Sequence, residues 1–531
     1  MLREKAVKNG GREFLVYPNR NIRYTFAGFD KKVDALAKGL LAAGFKKGSH
    51  IGIWANNVPE WTTVFFAAAR IGVVAVPINS SYKQNELAYV IGQADIKGLF
   101  IIDRYRNTDY TETIYQLIPE LKCAAAGGLT AAQFPCLKMI VNIDNTQHEG
   151  MYTLEKFLQT GGKIPDSELQ KAESQVSSDD ILCIMYTSGT TGSPKGAMLT
   201  HRNIINNAYF ATDKGRATEN AVFLNPLPLF HIMAFNGVIE SLIYGCKSAI
   251  LEQFDPIVSL TTIQNEKCTW IYGVPALYMA ILSHPQLNTF NTESLQYCSF
   301  GGSLCTPAML ANVMEKTHIK DIYIGYGLTE TSPLVTDSWV NDSDQEGLIT
   351  IGRPIQGVEV SIRDANALAC PSGGSGEICV KGHNVMKGYY KMEAATREVI
   401  DKDGWFHTGD LGHFLPNGCL VIDGRIKELI IRGGENIYPK EVENLLLALP
   451  GIKDAQVAGI PSNKYGEEVG AFIILKEGAS IGEREIRDFC REKISSFKIP
   501  KYIFFVDSFP ITPSGKVQKF KLSELGEKEV R

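Results

Sequence analysis

Short apolar runs that resemble buried strands alternate with helix-like segments near the start of the chain. In chain order these are a strand at 50–54, a helix at 59–71, a strand at 73–76, a helix at 85–94 and a strand at 99–102. Strands and helices that alternate in this way indicate βαβ units and a largely parallel sheet. The pattern returns after Asp180 and again near Thr269. We therefore predict an α/β fold whose large N-terminal domain has mixed, largely parallel sheets with flanking helices.

The character of the sequence changes at about Asn366. Turn residues become frequent, and short strand-like runs such as 376–380 lie between them. This combination is typical of a small β-rich subdomain. We predict a β-rich subdomain at about 355–424, at the end of the N-terminal domain.

The last part of the chain has the pattern of a separate, small α/β unit. Tyr438-Pro439 begins an amphipathic helix, and residues 471–475 and 501–506 are strand-like. A second predicted helix carries apolar residues at helical spacing, namely Ile486, Phe489, Cys490 and Ile494. With the boundary near Asp423-Gly424-Arg425, the N-terminal domain spans 1–424 and the C-terminal domain 428–531.

Charge and composition exclude some broad classes of function. The formal net charge of -4 argues against general electrostatic binding to nucleic acid or to anionic membranes. No apolar run is long enough to span a bilayer, so integral membrane association is not expected. The 11 cysteines are scattered without a C-x-x-C pair, which favours free thiols in a reducing compartment and predicts a cytoplasmic protein.

The segment Tyr186–Gly196 has the composition of a phosphate-binding loop. It follows an apolar strand at 181–185, and its glycines let backbone N–H groups approach a phosphate closely. The candidate phosphate ligands are Thr187, Ser188, Gly189, Thr190, Thr191, Gly192 and Lys195. The common P-loop spacing is absent. A flexible surface loop is the alternative, but such loops seldom combine a preceding buried strand with spaced glycines and a Pro-Lys-Gly end.

The segment Gly325–Thr331 follows a predicted strand at 322–324. Tyr326 can present its ring to a base, Thr329 can donate to a phosphate, and Glu330 can hold Mg²⁺. On this segment alone, a tight turn with an incidental acid is an equally good interpretation.

Two further segments offer side chains suited to a nucleotide. Asp410 ends the run Gly404–Asp410, and a carboxylate can accept hydrogen bonds from two ribose hydroxyls at once, with Arg425 as a reinforcing partner. A turn or N-cap role is the alternative for Asp410. Lys516 lies on a Pro/Gly loop, where a lysine is usually a solvated surface charge.

Together these segments closely resemble the superfamily of acyl-CoA synthetases, adenylation domains and firefly luciferase. The resemblance covers nearly the whole chain, and the matching segments stand in the family's order. They are Tyr186–Gly196, Gly325–Thr331, Gly376–Tyr390, Trp405–Gly412, Asp423–Glu443 and Pro513–Lys519. The resemblance implies that the C-terminal domain is mobile about a hinge at 425–427, which contains Lys427.

The resemblance also assigns roles to single residues. The implied catalytic residues are Lys516, Thr329, Glu330 and Lys195. ATP and AMP would be bound by Thr187, Ser188, Gly189, Thr190, Thr191, Gly192, Lys195, Gly302, Ser303, Gly325, Tyr326, Gly327, Thr329, Asp410, Arg425 and Lys516. The implied acyl-binding residues are His231, Phe235, Val274, Gly301 and Gly325, and the implied CoA-binding residues are Arg432, Gly433 and Gly434. Thr187 and Glu330 would hold Mg²⁺.

The predicted function is an ATP-dependent acid–CoA ligase that forms an acyl-adenylate and then an acyl-CoA, with release of AMP and pyrophosphate. Ile431 stands where luciferase and coumarate-CoA ligases carry a lysine, so the run Ile430–Pro439 resembles the fatty-acid-activating branch. Apolar neighbours of His231 predict a medium-chain, alicyclic or aromatic acid. Two alternatives are an adenylation enzyme that loads a carrier protein and a non-catalytic nucleotide-binding protein. The expected partners are the acid, ATP and CoA, and a homodimer is a candidate assembly.

Overall fold

The computed structural model describes residues 1–187, 194–211, 217–302, 307–319, 321–339, 350–433, 435–462, 464–491, 493–511 and 517–530. Internal contacts divide the chain into two compact units. The first consists of Met1–Ile349, Pro354–Glu359 and Lys381–Phe406, and the second of Thr350–Arg353, Val360–Val380 and His407–Arg531. Within the described ranges, no helix combines the length and the apolar character that crossing a membrane requires.

The helices are α1 (Leu2–Lys8), α2 (Phe26–Ala42), α3 (Pro59–Arg70), α4 (Gln84–Gln93), α5 (Tyr110–Leu117), α6 (Leu154–Thr160), α7 (Asp166–Ser174), α8 (His201–Ala211), α9 (Ile232–Tyr244), α10 (Pro256–Glu266), α11 (Pro275–Leu282), α12 (Pro307–Lys316), α13 (Glu393–Val399), α14 (Pro439–Leu447), α15 (Glu483–Arg491) and α16 (Lys519–Val530).

The strands in the first 339 residues are β1 (Glu13–Tyr17), β2 (Ile22–Thr25), β3 (His50–Trp54), β4 (Val74–Ile78), β5 (Ile96–Ile101), β6 (Arg104–Tyr105), β7 (Thr108–Asp109), β8 (Met139–Asn142), β9 (Tyr152–Thr153), β10 (Ile181–Thr187), β11 (Lys195–Thr200), β12 (Val222–Asn225), β13 (Lys247–Ile250), β14 (Trp270–Gly273), β15 (Tyr297–Phe300), β16 (Asp321–Tyr326) and β17 (Thr336–Trp339). The later strands are β18 (Arg353–Pro354), β19 (Val358–Arg363), β20 (Gly376–Gly382), β21 (Gly388–Tyr389), β22 (Phe406–Phe414), β23 (Leu420–Arg425), β24 (Ile430–Arg432), β25 (Glu435–Ile437), β26 (Ile452–Ser462), β27 (Gly466–Leu475) and β28 (Tyr502–Phe505).

Two large sheets form the first unit, and both are parallel in the middle. One has the order β18-β17-β16-β15-β14-β12-β13-β1-β2. It is parallel from β16 to β1, and β17 and β2 pair antiparallel with β16 and β1. The other has the order β21-β11-β10-β4-β3-β5-β8-β9, in which β11 and β21 are antiparallel. The predicted α/β fold with mixed, largely parallel sheets is confirmed.

Strands β3 and β4 are buried at every residue, as expected for strands covered by helices on both faces. This burial explains why their sequences are continuous apolar runs rather than alternating ones. β3 coincides with the predicted strand at 50–54, and α3 ends one residue before the predicted Ile71.

The second unit contains a sheet in the order β19-β20-β22-β23 and a further sheet in the order β25-β24-β27-β26, with β28 beside β27. α14 and α15 pack on the further sheet through apolar residues such as Val442, Leu446, Ile486 and Cys490. The predicted small α/β unit near the C-terminus is therefore present. The contacts place it in one unit with residues 360–380 and 407–425, so the hinge at 425–427 and the 428–531 domain stay predictions.

Candidate active site

Several predicted site residues follow the carboxyl ends of neighbouring parallel strands. Val274 comes directly after β14, Gly301 directly after β15, and Gly325 lies at the end of β16. The loop that carries His231 follows β12 in the same sheet. The carboxyl edge of a parallel sheet is where open α/β folds bind ligands. The topology thus gathers residues that are far apart in the sequence.

Close backbone approach explains the glycines at this edge. A methyl group on Gly301 would lie 3.2 Å from Met233 Sδ and 3.5 Å from the carbonyl oxygen of Gly325. A methyl group on Gly302, whose φ is +78°, would lie 3.5 Å from Val274 Cγ1. The structure therefore brings the turn after β15, the end of β16 and Val274 into contact.

Gly327 is required by sterics. A Cβ atom there would lie 1.8 Å from the carbonyl oxygen of Pro333, a distance that backbone atoms cannot accommodate. The chain turns at once into a short 3₁₀ helix, Thr329–Thr331, and the Leu328 N–H donates to Thr331 Oγ1 at 2.9 Å. This tight turn presents Glu330 back toward the second large sheet.

His231 is the N-cap residue of α9, and its ring lies 4.6 Å from that of Phe230. A buried asparagine holds the loop before it in place. Asn57 Nδ2 donates to the carbonyl oxygens of Leu227 and Leu251 at 2.8 Å each, and the Leu229 N–H donates to Asn57 Oδ1 at 2.8 Å. Sequence reasoning missed Asn57, because nothing near it in the sequence marks its role.

Phe235, predicted to bind the acyl group, is fully buried one turn along α9. Its ring centroid lies 4.1 Å from that of Phe65 and 6.2 Å from that of Trp61. It therefore packs in an aromatic cluster between α9 and α3.

The predicted phosphate loop connects the two strands β10 and β11. β10 and β11 pair antiparallel, and Thr187 and Lys195 are the last registered pair before the loop. Ser188, Gly189, Thr190, Thr191 and Gly192 lie outside the described residues, as do Ser303, Gly434 and Lys516. The hairpin brings a hydroxyl and an ammonium group to the two ends of the predicted loop.

Glu330, predicted to hold a metal ion, lies at the base of this hairpin. Thr187 Oγ1 lies 3.4 Å from Glu330 Oε1, and the Tyr389 hydroxyl donates to the same carboxylate oxygen at 2.9 Å. The Lys195 ammonium group lies 5.1 Å from the centre of the Tyr389 ring. Glu330 is only 8% exposed, so water contributes little to its stabilisation.

Tyr389 contacts the candidate site residues Glu330 and Lys195, although sequence reasoning did not single it out. It lies on β21, which pairs with β11 so that Tyr389 stands opposite Ala197. Burial, and then the charge of Glu330, raise the pKa of the Tyr389 phenol, so it remains a protonated donor. Tyr389 does lie in the segment Gly376–Tyr390, which resembles the family. The distance along the chain between this segment and Glu330 gives no indication that the two residues are in contact.

Asp410 and Arg425 form an ion pair within the second unit. They are registered partners on the antiparallel strands β22 and β23, and Arg425 Nε lies 2.8 Å from Asp410 Oδ1. The Asp410 side chain is 4% exposed, whereas that of Arg425 is 45% exposed. The predicted pairing of these two residues is therefore present in the structure.

A hydrogen-bond network fixes the backbone before Asp410. Glu377 Oε1 accepts the Gly409 N–H at 3.0 Å, and Glu377 Oε2 lies 2.7 Å from His407 Nδ1. Thr408 Oγ1 donates to the Ile378 carbonyl and accepts the Asp410 N–H at 3.0 Å. Glu377 and His407 also lie near Cys379. Because the glutamate is already engaged by Gly409 and His407, hydrogen bonding accounts for this cluster.

Arg432, predicted to bind CoA, is neutralised by a buried acid. Its Nε contacts Glu468, which is 2% exposed and is also approached by Lys501 Nζ at 3.1 Å. Gly433 has a φ of +61° and donates its N–H to the Tyr465 carbonyl at 2.8 Å. Lys427 lies in the short 3₁₀ helix Ile426–Glu428, directly after β23.

Two family models match this chain in order. One, described as AMP-binding enzyme, matches residues 2–390, and the other, described as AMP-binding enzyme C-terminal domain, matches residues 441–516. Together they span most of the chain, including the hairpin, Glu330 and Tyr389.

Individual proteins are similar over nearly their whole length. The candidate acyl-CoA synthetase YngI of Bacillus subtilis (strain 168) is 41% identical, covering 99% of this chain and 96% of that protein. The mitochondrial medium-chain acyl-CoA ligase ACSF2 of Danio rerio is 37% identical, with coverages of 98% and 86%. Among solved structures, ATP-bound MatB from Rhodopseudomonas palustris has a TM-score of 0.84 at 28% identity, with coverages of 100% and 99%.

Proposed function

Because the chain belongs to the AMP-binding enzyme family, we propose that it is an ATP-dependent acid–CoA ligase. It joins a carboxylic acid to the adenylyl group of ATP and then transfers the acyl group to the thiol of CoA. The observation that carries this proposal is the cluster of Thr187, Lys195, Glu330 and Tyr389 at the base of the phosphate-loop hairpin.

The donor set of this cluster suits Mg²⁺. A magnesium ion prefers hard oxygen ligands, and the Glu330 carboxylate and the Thr187 hydroxyl supply two that lie 3.4 Å apart. When bound with ATP, the ion supplies charge neutralisation of the triphosphate. Lys195 adds a fixed cation, and the Tyr389 hydroxyl holds the carboxylate in one orientation.

Asp410 is assigned to the ribose hydroxyls. Its carboxylate is nearly buried, has its orientation fixed by Arg425, and follows a backbone segment fixed by Glu377. An acceptor that is already oriented loses little entropy when it binds a diol. Tyr326 and the turn Gly301-Gly302-Ser303 are assigned to adenine, and Thr329 to the α-phosphate.

The first half-reaction is attack of the substrate carboxylate on the α-phosphorus. A bond forms between a carboxylate oxygen and phosphorus, and the bond to the departing pyrophosphate breaks. Lys516 would bridge the two anions and stabilise the charge that develops in the transition state. In the second half-reaction the CoA sulfur attacks the acyl carbonyl carbon, and AMP leaves with the bonding electrons.

One site can perform both half-reactions if the C-terminal domain alternates between two positions. We assign the hinge to 425–427, with Lys427 within it, and the moving domain to 428–531. Arg432, Gly433 and Gly434 would then face the CoA channel in the second position. Arg432 pairs with Glu468 in this structure, so a CoA phosphate would have to compete with this carboxylate for the guanidinium group.

The acid is assigned to the medium-chain aliphatic class. Relatives named medium-chain acyl-CoA ligases, at 37% identity and below, support this choice. The residues assigned to the acyl site are His231, Phe235, Val274, Gly301 and Gly325. Alicyclic and aromatic acids, a cytoplasmic location and a homodimeric assembly stay predictions.

The proposal is tested by pyrophosphate release across a panel of aliphatic, alicyclic and aromatic acids, with and without CoA. We expect acid-dependent release that CoA accelerates, with AMP and acyl-CoA as products. Release that CoA never accelerates, with no CoA thioester, would favour loading of a carrier protein. No release with any acid would favour a non-catalytic nucleotide-binding protein.

A further inference from the structure

Helix α9 carries a polar cluster inside the apolar core of the first unit. Asn236 and Glu240 lie one turn apart on this helix, and Tyr272 lies on β14. Their exposed fractions are 5%, 2% and 6%, so none of them is accessible to bulk water. Burying a carboxyl group among apolar side chains is costly, and such groups are kept where they serve a purpose.

The three side chains are bonded to one another. Asn236 Nδ2 donates to Glu240 Oε1 at 2.7 Å, and the Tyr272 hydroxyl contacts Glu240 Oε2. Burial raises the pKa of Glu240 to about 8 and that of Tyr272 well above its usual value, so at neutral pH both groups carry a proton.

Hydrogen-bonding capacity is left over in this arrangement. A protonated glutamic acid and a phenol bring two O–H groups to one contact, so one of them needs another acceptor. Asn236 also has a second N–H, and its Oδ1 is buried with no partner among the described residues. The cluster therefore has donor and acceptor capacity that its own members do not satisfy.

The cluster is continuous with the proposed acyl site. Met233, Gly237 and Glu240 are spaced to lie on one face of α9. Met233 lies beside Gly301, and a methyl group on Gly237 would lie 3.2 Å from Tyr272 Cε2. From Met233 to Glu240 this face is about 10 Å long, since each helical residue rises about 1.5 Å.

The register of the strands also places the cluster next to the proposed acyl site. Tyr272 lies on β14, two residues before Val274, which follows the strand in extended conformation. Its registered partner Ser299 on β15 lies two residues before Gly301. Residues two apart on a strand share a face. The cluster therefore lies behind Val274 and Gly301, on the side away from the carboxyl edge of the sheet.

We propose that Asn236, Glu240 and Tyr272 form the distal end of the acyl site and recognise a neutral hydrogen-bonding group on the substrate. The inference rests on the proposed acid–CoA ligase activity. The substrate class is then a carboxylic acid of medium length that carries a hydroxyl or carbonyl group at the end remote from the carboxylate. A hydroxyl satisfies both the spare donor and the Asn236 Oδ1 acceptor.

The test compares octanoate with ω-hydroxyoctanoate in acid-dependent pyrophosphate release, using the full-length protein. We expect kcat/KM to favour the hydroxy acid by at least about tenfold, because a site with unpaired polar groups disfavours the unsubstituted chain. Tyr272→Phe should lower this preference about tenfold by removing one hydroxyl. A double variant, Glu240→Leu with Tyr272→Phe, should reverse the preference toward octanoate.

Tyr278→Phe is the matched control. Tyr278 is a buried tyrosine on α11, and its hydroxyl donates to the carbonyl oxygens of Ile271 and Ser299 on the neighbouring strands. This variant should leave the preference unchanged. If Glu240→Leu prevents folding of the double variant, the substrate preference of the single variant Tyr272→Phe tests the inference by itself.

A preference for octanoate in the wild-type protein, or a preference that Tyr272→Phe does not alter, would overturn the inference and leave the ligase activity in place. Absence of pyrophosphate release with every acid of the panel would instead overturn the ligase proposal, and this inference with it.

Discussion

The Glu330 carboxylate, the proposed ligand of Mg²⁺, has a closely defined environment in the structure. It is nearly buried, it lies beside the Thr187 hydroxyl, and it accepts a hydrogen bond from Tyr389. Tyr389 in turn lies against the Lys195 ammonium group. The geometry of this carboxylate therefore depends on a residue that the motif around Glu330 does not contain.

Tyr389→Phe tests that dependence. Removal of the phenol deletes one hydrogen bond to a charged group, which is worth about 1.5–3 kcal/mol. We expect the KM for ATP with Mg²⁺ to rise about tenfold or more, with a smaller change in the KM for the acid. Steady-state pyrophosphate release at several Mg²⁺ concentrations measures both.

Tyr390→Phe is the control for this change, because the Tyr390 hydroxyl donates to Asp95 instead of Glu330. It should leave the ATP and Mg²⁺ dependence as in the wild type. Equal effects of the two substitutions would show that Tyr389 acts through folding alone.

Glu240 makes stability depend on pH in a defined direction. Its pKa rises from about 4.5 when unfolded to about 8 when folded, because burial disfavours the charged form. The folded protein then binds more protons between these values, so this stabilising contribution is present at low pH and is lost as pH rises toward 8. Nearby Tyr272, Tyr323 and Cys246 titrate above that range.

Glu240→Gln should remove this dependence. The free energy of unfolding of the wild type, minus that of the variant, should fall by up to about 1.4 kcal/mol for each pH unit between 6 and 8. Urea denaturation at a series of pH values measures the difference. A difference that stays constant with pH would contradict a neutral buried carboxyl group.

At the scale of residues, the sequence predicted groups that stand in motifs and missed those that meet across the fold. Thr187, Lys195 and the Asp410–Arg425 pair were found from local composition. The residues that were missed form hydrogen bonds with partners distant in the sequence or with backbone atoms. They are Tyr389, Glu377 and Asn57. No periodicity or spacing encodes such contacts.

At the scale of elements, hydrophobic patterns predicted burial better than they predicted conformation. Ile494 was placed on the helix that carries Ile486, but α15 ends at Arg491. Ile494 nevertheless packs against the same core, after a turn in which its N–H donates to the Cys490 carbonyl. The spacing therefore identified Ile494 correctly as a residue that packs against this core. It does not show that the chain stays helical as far as Ile494.

Strand β11 is an element that the local sequence indicates only weakly. Residues 195–200 are short, begin with Lys195-Gly196 and carry only a weak strand signal. They form a strand because β10 and β21 pair with them from either side. Tertiary hydrogen bonding here determines what local propensity does not.

The loop between β12 and α9 depends on Asn57 for its position. In Asn57→Leu the carbonyls of Leu227 and Leu251 and the N–H of Leu229 lose their partner, at a cost of about 3 kcal/mol in stability. Because this loop carries His231, we also expect the KM for the acid to rise severalfold. Denaturation and steady-state kinetics measure the two effects.

Asn142→Leu is the control for Asn57→Leu, because it separates a loss of stability from a change in the position of the loop that carries His231. Asn142 is also buried, and it bonds to Asp103 and Thr146, which are not among the candidate site residues. It should lower stability but leave the KM for the acid unchanged. A matching rise in KM for both variants would contradict a positioning role of Asn57.

At the scale of the whole molecule, the proposed mechanism uses Lys516 in only one of the two half-reactions. Lys516→Ala should lower pyrophosphate release at least about a hundredfold, since it removes a cation from the developing charge. Conversion of supplied acyl-AMP and CoA to acyl-CoA should change little. Rapid-quench assays of each half-reaction measure this, and Lys521→Ala, a nearby lysine without a proposed role, is the control.

Equal loss of both half-reactions in Lys516→Ala would contradict the alternating use of the C-terminal domain. The domain boundary is the part of the fold that remains a prediction. The internal contacts group residues 360–380 with 407–531, so a hinge at 425–427 is supported by the family resemblance and not by the division into units.

In the proposed mechanism the acid is activated by direct bonding to the α-phosphorus of ATP. Turnover of a carboxylic acid labelled with ¹⁸O in its carboxyl group, in the presence of ATP and CoA, tests this most directly. We expect one ¹⁸O atom in the phosphate of each AMP released, because the carboxylate oxygen stays on phosphorus when the thiol displaces AMP from the acyl group. Unlabelled AMP, or label in inorganic phosphate with formation of ADP, would contradict it.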